Sequence, residues 1–301
     1  IPQVAAGLQG LGLSTVDRLG VFLPMLPGTA LVTLAAGWLG AIIVPIFSGF
    51  GPEAVAARLR DAEATHLVTV DAFPRRGRLV TLKAIADQAL AANPTVRTVI
   101  VVRRSGISIP WTPGRDVWWH EMLERAPVSL PATVTRTTDP YMLIYTSGTT
   151  GRPKGTVHVQ AGFPIKAAHD LAYCFDVQEE DRVLWLTDLG WMMGPWLIQG
   201  TLLLGATVVL YEGTPDWPTA DRLWQLIARH RISVLGLTPS VVRAAMARGA
   251  APTAQHDLSS LRAFGSTGEP WNPTPWWWLF ETVGQRRLPI INYSGGTEIA
   301  G

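Results

Sequence analysis

The chain has 301 residues, 48% of them hydrophobic and 16% charged, with a formal net charge of +2. That is ample apolar material for one large core or two lobes, and too much for a disordered chain. The weak charge and scattered basic residues exclude a nucleic-acid surface, and the single cysteine, Cys174, excludes an internal disulfide framework or a multi-cysteine metal site, which fits a reducing, cytoplasmic setting.

Apolar runs of strand length occur at 19–23, 41–46, 66–70, 98–102, 141–145, 182–186, 207–211, 233–237, 262–266 and 290–293. Helical patterns lie between them at 52–61, 82–92, 219–230 and 240–248. This alternation predicts an α/β fold. The longest apolar stretch, 30–47, is broken by Gly37, Gly40 and Pro45 and has no basic flank, so it predicts a buried helix followed by a strand, with no membrane partner. The segment 105–138 carries Pro110, Pro113, Pro127 and Pro131 and is expected to join two lobes, 1–104 and 139–301.

The most informative stretch is YMLIYTSGTTGRPKG at 141–155. Gly148, Gly151 and Gly155 allow backbone N–H groups close to phosphate oxygens, Thr146, Ser147, Thr149 and Thr150 add hydroxyls, and Lys154 adds a cation. The spacing is not that of a P-loop, because Pro153 precedes the lysine and residues 156–159 read as a strand rather than a first helical turn. A polyphosphate cradle hinged between two strands is therefore expected, with an ordinary Gly/Ser/Thr connection as the alternative. Two more small-residue turns follow strands, GSTGEP at 265–270 and NYSGGTE at 292–298. Ligands of α/β sheets sit outside the carboxyl ends of strands, so three such turns favour one shared site.

These motifs resemble those of the adenylate-forming, AMP-binding superfamily. TSGTTGRPKG resembles its phosphate loop and GGTE at 295–298 its Thr-Glu motif. FSGFGPEAVAARL at 47–59, PGRDVWWHEML at 113–123, YEGTPDWPT at 211–219 and GSTGEPWNP at 265–273 resemble the acetyl-CoA synthetase branch, in the same order. The resemblance implies the large N-terminal domain of that fold, two α/β lobes with helix-flanked sheets, with the chain stopping before the small C-terminal domain that bears a catalytic lysine. It implies an acyl-CoA synthetase that uses ATP, Mg²⁺ and coenzyme A. Lys154, Thr297 and Glu298 are the implied catalytic residues, with Glu298 the metal ligand. ATP binding is implied for the loop from Thr146 to Gly151, for Gly268, Glu269 and Pro270, and for Asn292, Tyr293, Ser294, Gly295 and Gly296. Arg75 and Arg78 match positions that contact coenzyme A, and Trp191, Met192, Thr267 and Gly295 match the acyl pocket.

The branch carries paired tryptophans where this chain has Ser294 and Gly295, so the resemblance implies room for a short- to medium-chain acid, branched ones included, rather than acetate. Tyr293 is expected to replace the missing adenine stacker. Loading of a carrier protein, or nucleotide binding without catalysis, are the competing functions.

Overall fold

The structure, a computed structural model, describes residues 1–91, 95–146 and 153–301. It comprises two compact units, one of Ile1–Pro74, Arg78–Phe163 and Asp188–Pro195, the other of Arg75–Gly77, Pro164–Thr187 and Trp196–Gly301.

Val-, Ile- and Leu-rich runs make the strands of the first unit: β1 (Arg18–Phe22), β2 (Ile42–Pro45), β3 (His66–Val70), β4 (Phe73–Arg75), β5 (Arg78–Val80), β6 (Thr98–Val102), β7 (Asp116–Trp118), β8 (Pro140–Thr146) and β9 (Lys154–Val159). β4 and β5 form a small hairpin, and the other seven make one sheet ordered β7-β6-β3-β1-β2-β8-β9. Its pairings are parallel except β8 with β9. Parallel strands covered on both faces need unbroken apolar runs, which is why every residue of β3 is buried.

The helices of this unit are α1 (Pro2–Gly10), α2 (Pro27–Leu39), α3 (Pro52–Asp61), α4 (Leu82–Leu90) and α5 (Trp119–Arg125). Proline opens α2 and α3, where its missing N–H costs nothing, and Gly40 stops α2 in the left-handed conformation at φ 67°. The apolar stretch at 30–47 is therefore the body of α2 followed by β2, as its interruptions predict. No described helix is long and apolar enough to cross a membrane.

The segment 105–138 belongs to the first unit and contains β7 and α5. The division of the chain thus falls elsewhere than its prolines suggest. Pro110 O accepts from Lys83 Nζ at 3.1 Å, Leu130 O accepts from Trp38 Nε1 at 2.8 Å, and Thr133 N donates to Trp38 O at 2.9 Å. A proline-rich stretch is a linker only when its backbone groups go to water. Here the first unit takes several of them.

The second unit holds α6 (Gly162–Phe175), β10 (Arg182–Trp185), α7 (Met193–Leu203), β11 (Thr207–Val209), α8 (Arg222–His230), β12 (Val234–Leu237), α9 (Pro239–Met246), α10 (Ala251–Ala254), β13 (Ala263–Ser266), α11 (Pro273–Trp278) and β14 (Ile290–Asn292). Its sheet is parallel throughout and ordered β11-β10-β12-β13-β14, a doubly wound arrangement with its switch point beside β10. The buried face of α8, Leu223, Trp224 and Ile227, packs in one cluster with Leu235, Phe264 and Leu288. Gly236 of β12 and Gly265 of β13 leave space for the Trp185 indole, because a Cβ at Gly265 would lie 2.6 Å from its ring and one at Gly236 would overlap it. A side chain at either glycine overpacks this layer, at a cost of about 1–3 kcal/mol or more.

Candidate active site

The expected residues that the structure describes lie at strand ends and in turns of the two units. In the first unit β8 and β9 run antiparallel, with Thr146 directly opposite an exposed Lys154. A strand therefore follows the glycine-rich loop, as residues 156–159 predict, and a P-loop is excluded. Ser147, Gly148, Thr149, Thr150 and Gly151 lie outside the described residues. The stems around them are braced. Tyr145 Oη donates to Asp61 at 2.6 Å, and burial followed by that carboxylate pushes the phenol well above its ordinary pKa. Gly155 of β9 packs closely over Leu143 and Tyr145 of β8.

The segment after β10 bears Trp191 and Met192, both within the first unit. Buried Asp188 accepts from Ser48 N at 3.2 Å and from Ser48 Oγ at 2.6 Å, and Gly190 sits so close to the Phe47 backbone that a side chain there would collide. Trp191 is exposed with its ring 5.3 Å from that of Phe47, whereas Met192 is buried. The Ser48–Asp188 clamp was not legible in the sequence, since its partners lie 140 residues apart.

In the second unit the turns after β13 and β14 carry the remaining residues. Gly268 adopts φ 92°, which a side chain would strain, and both Gly268 and Pro270 are exposed. Glu269 turns its carboxylate away toward α9, accepting from Ser240 N at 2.9 Å and from Arg243 Nη2 at 2.5 Å. Burial raises its pKa, but hydrogen bonds from Ser240 and Arg243 outweigh that and hold the carboxyl below the usual range. Its side chain thus ties the turn to α9. Thr267 is partly buried beside it.

Beyond β14, Asn292, Ser294 and Gly295 are exposed, and Thr297–Ile299 make one 3₁₀ turn that presents Glu298 to solvent. Tyr293, expected to offer a face to adenine, instead lies against the interior. Its ring centroid is 5.4 Å from Trp196 and 6.0 Å from Phe175, and its hydroxyl donates to Asp170. The reason is local: strand pairing extends to Tyr293 N, which donates to Ser266 O at 2.8 Å, so this side chain follows the sheet rather than the turn. Among the described residues no three His, Cys, Asp or Glu side chains converge. Glu298 is an exposed carboxylate, a hard oxygen donor of the kind Mg²⁺ takes beside phosphate oxygens and water.

Arg75 and Arg78 flank a two-residue turn in which Arg76 and Gly77 have φ of 49° and 73°, the signature of a type I′ hairpin. Residues flanking such a turn leave the hairpin on the same side, and both arginines are exposed. Arg76 points elsewhere and pairs with Asp216 at 3.1 Å, a carboxylate that Arg248 also holds at 2.8 Å.

The AMP-binding enzyme family matches this chain over residues 1–301. The chain is 40% identical over 303 residues to an acetyl-coenzyme A synthetase of Rhodopirellula baltica, covering 100% of this chain and 45% of that protein. It is 42% identical over 299 residues to the acetyl-coenzyme A synthetase of Gemmatimonas aurantiaca, covering 97% and 46% respectively. Among solved structures it resembles an acetoacetyl-CoA synthetase from Streptomyces lividans with a TM-score of 0.90 at 30% identity, covering 99% of this chain and 46% of that one. The chain thus spans less than half the length of these relatives. A largely parallel and a wholly parallel sheet, small-residue turns at the strand ends and a family match from the first residue to the last lead to one conclusion: the chain belongs to the AMP-binding enzyme family.

Proposed function

We propose that this chain is the nucleotide- and acid-binding part of an AMP-forming acyl-CoA synthetase. In the first step the acid's carboxylate oxygen attacks the α-phosphorus of ATP, pyrophosphate leaves, and an acyl-adenylate forms. In the second the thiol of coenzyme A attacks the acyl carbonyl and AMP departs. Catalysis of the first step consists of holding two anions together and stabilising charge on the departing pyrophosphate. Lys154 at the mouth of the 147–152 loop supplies a cation for that charge, and Thr297 a hydrogen bond for the α-phosphate. Mg²⁺, held through Glu298, would neutralise phosphate oxygens as a Lewis acid. The backbone of 268–270 and the turn 292–296 receive the adenosine in this reading. The observation that carries it is the Thr297-Glu298 turn, in which a hydroxyl and an exposed carboxylate stand next to each other in the segment that follows a parallel strand.

The acid assigned to the site is short to medium in chain length, branched ones included, because no indole stands at 294 or 295. A panel of acids from two to eight carbons, assayed as kcat/KM on the enzyme that carries this chain, is expected to peak above two carbons. Each methylene that fits an apolar pocket is worth about tenfold or more. A clear optimum at acetate would overturn the substrate assignment. Restoring tryptophan at 295 is a poor test, because a Cβ there collides with the backbone of Gly301 and would displace the turn that carries Glu298.

The paired Arg75 and Arg78 favour coenzyme A over a carrier protein as acceptor. Two like charges opposite each other on a hairpin repel, and a phosphate between them converts that repulsion into charge-assisted hydrogen bonds. Changing both to alanine is expected to raise the KM for coenzyme A about tenfold or more while acid-dependent pyrophosphate exchange stays intact. Loss of exchange in the double variant would make the arginines structural and return carrier-protein loading to first place.

A further inference from the structure

Asp170 of α6 is buried and lies at the centre of a polar knot inside an aromatic wall. Its carboxylate accepts from Lys166 Nζ, from Tyr293 Oη, and from Trp196 Nε1 at 3.3 Å. His169 Nδ1 stands 3.6 Å from its other oxygen. Lys166 Nζ also reaches Tyr293 Oη at 3.3 Å and lies over that ring, 5.7 Å from its centroid. Phe175 packs edge-on against both Trp185 and Trp196, with ring centroids 5.7 and 5.8 Å apart. A carboxylate so enclosed is costly unless it is hydrogen-bonded, and here one oxygen, Oδ2, accepts from α6 itself, from α7 and from the residue after β14.

The other end of the knot is the turn that bears Thr297 and Glu298. Tyr293 begins it, and Gly301 closes it: a Cβ on Gly301 would meet the Tyr293 hydroxyl, and one on Gly295 would meet the Gly301 backbone. Gly301 N also donates to Gly296 O at 3.3 Å, and Ile299 N to the same oxygen at 3.0 Å. Both ends of the 293–301 turn therefore converge on the tyrosine hydroxyl, and that hydroxyl is held by Asp170. We propose that Asp170, with Lys166 and Trp196, is a positioning residue that sets the Thr297-Glu298 turn through Tyr293. The inference rests on the adenylating role given above to Thr297 and Glu298.

The physical consequence is geometric. Phosphoryl chemistry tolerates little misplacement of the groups that meet the transition state, and about 1 Å of drift can cost about 100-fold in rate. Burial alone would raise the Asp170 pKa, but the hydrogen bonds from Lys166, Tyr293 and Trp196 outweigh it and keep the anchor ionised. The same burial, with the Asp170 charge, drives the Tyr293 phenol upward, so the hydroxyl stays a donor. Sequence offers one signal for this cluster: a lysine and an aspartate four residues apart on a helix that is otherwise mostly apolar.

The test uses Tyr293→Phe, which removes one oxygen, and Asp170→Asn, which keeps an acceptor but not the charge, in the full enzyme that carries this chain. Each is expected to lower kcat for pyrophosphate exchange tenfold or more and to raise the Mg²⁺ concentration giving half-maximal rate, while the KM for coenzyme A stays within twofold. The double variant is expected to lose no more than the worse single one, because the two residues act as one unit. Ile227→Val, a core change on α8, serves as the control for mere destabilisation and is expected to leave kcat unchanged. If both variants track that control, or if their losses simply add, the anchoring role is wrong. If Thr297→Ala and Glu298→Ala themselves leave exchange intact, the failure lies instead in the functional reading on which the anchor depends.

Discussion

Acid-dependent ATP–pyrophosphate exchange is expected to fall by about 100-fold or more when Glu298 is replaced by alanine, and by a comparable factor for Thr297→Ala. Removing one preorganised donor or charge aimed at a developing anion costs about that much in well-studied enzymes. Glu298 is exposed at the tip of a 3₁₀ turn and belongs to no cluster of three or more acidic, His or Cys side chains among the described residues. Two further measurements separate its role from that of a surface carboxylate. Chelation of Mg²⁺ is expected to abolish exchange in the parent enzyme, and Glu298→Gln is expected to need more Mg²⁺ for the same rate. Thr297→Ser, which keeps the hydroxyl, is expected to recover most of the activity that alanine loses. Wild-type exchange in both alanine variants would remove the site assignment altogether.

The largest stability effect is expected at Lys83, far from any residue assigned to chemistry. Its side chain is fully buried, and Nζ meets Asp116 at 2.9 Å, Asp87 at 2.7 Å and Pro110 O at 3.1 Å. Asp116 is also fully buried and takes Arg115 Nε at 2.6 Å and Thr112 N at 2.9 Å. Lys83→Ala leaves two carboxylates, one of them fully buried, to the single cation Arg115 and frees the carbonyl of Pro110, and breaking a buried ion pair in this way typically costs about 3–5 kcal/mol. That is a large share of a total stability of about 5–15 kcal/mol. Urea unfolding should show the midpoint fall without a change in slope.

The same cluster predicts the response to acid. Burial raises the Asp116 pKa, but hydrogen bonds from Arg115, Thr112 and Lys83 outweigh it, and the folded-state value lies below the ordinary 3.8. A depressed carboxyl contributes stability that is complete above the unfolded pKa and is lost as pH falls through the folded one. Wild type should therefore lose stability as pH drops below about 5. Asp116→Asn should be less stable at neutral pH and show a shallower decline in acid. An equal slope in the two proteins would remove Asp116 from the account of acid sensitivity.

Much of the candidate site was legible because its chemistry is local. A glycine-rich loop, a Gly-Thr-Glu turn and a Gly-Glu-Pro turn each follow a short apolar strand, and each can be read from a handful of adjacent residues. The strand after the glycine-rich loop was legible for the same reason, since residues 156–159 read as a strand from their own types. Tyr293 was misjudged because the face a side chain takes depends on where strand pairing ends, and pairing runs one residue past β14. Glu269 was placed in the right turn, yet only α9, which starts 30 residues earlier at Pro239, shows what its carboxylate does.

By itself the sequence determined the α/β alternation, the absence of an internal disulfide and the order of the motifs. Those properties follow from residue type and short spacing, which local sterics and hydrogen-bonding capacity read directly. Only the tertiary structure decided that 105–138 binds to the first unit, that Ser48 meets Asp188, that Arg75 and Arg78 share one face of a hairpin tip, and that Asp170 holds Tyr293. Each of these depends on which partners reach a buried polar group or an exposed turn. Whether a proline-rich stretch becomes a strap or a linker, and whether a tyrosine becomes a platform or an anchor, is settled by the hydrogen-bond partners that folding brings within 3 Å or so of it.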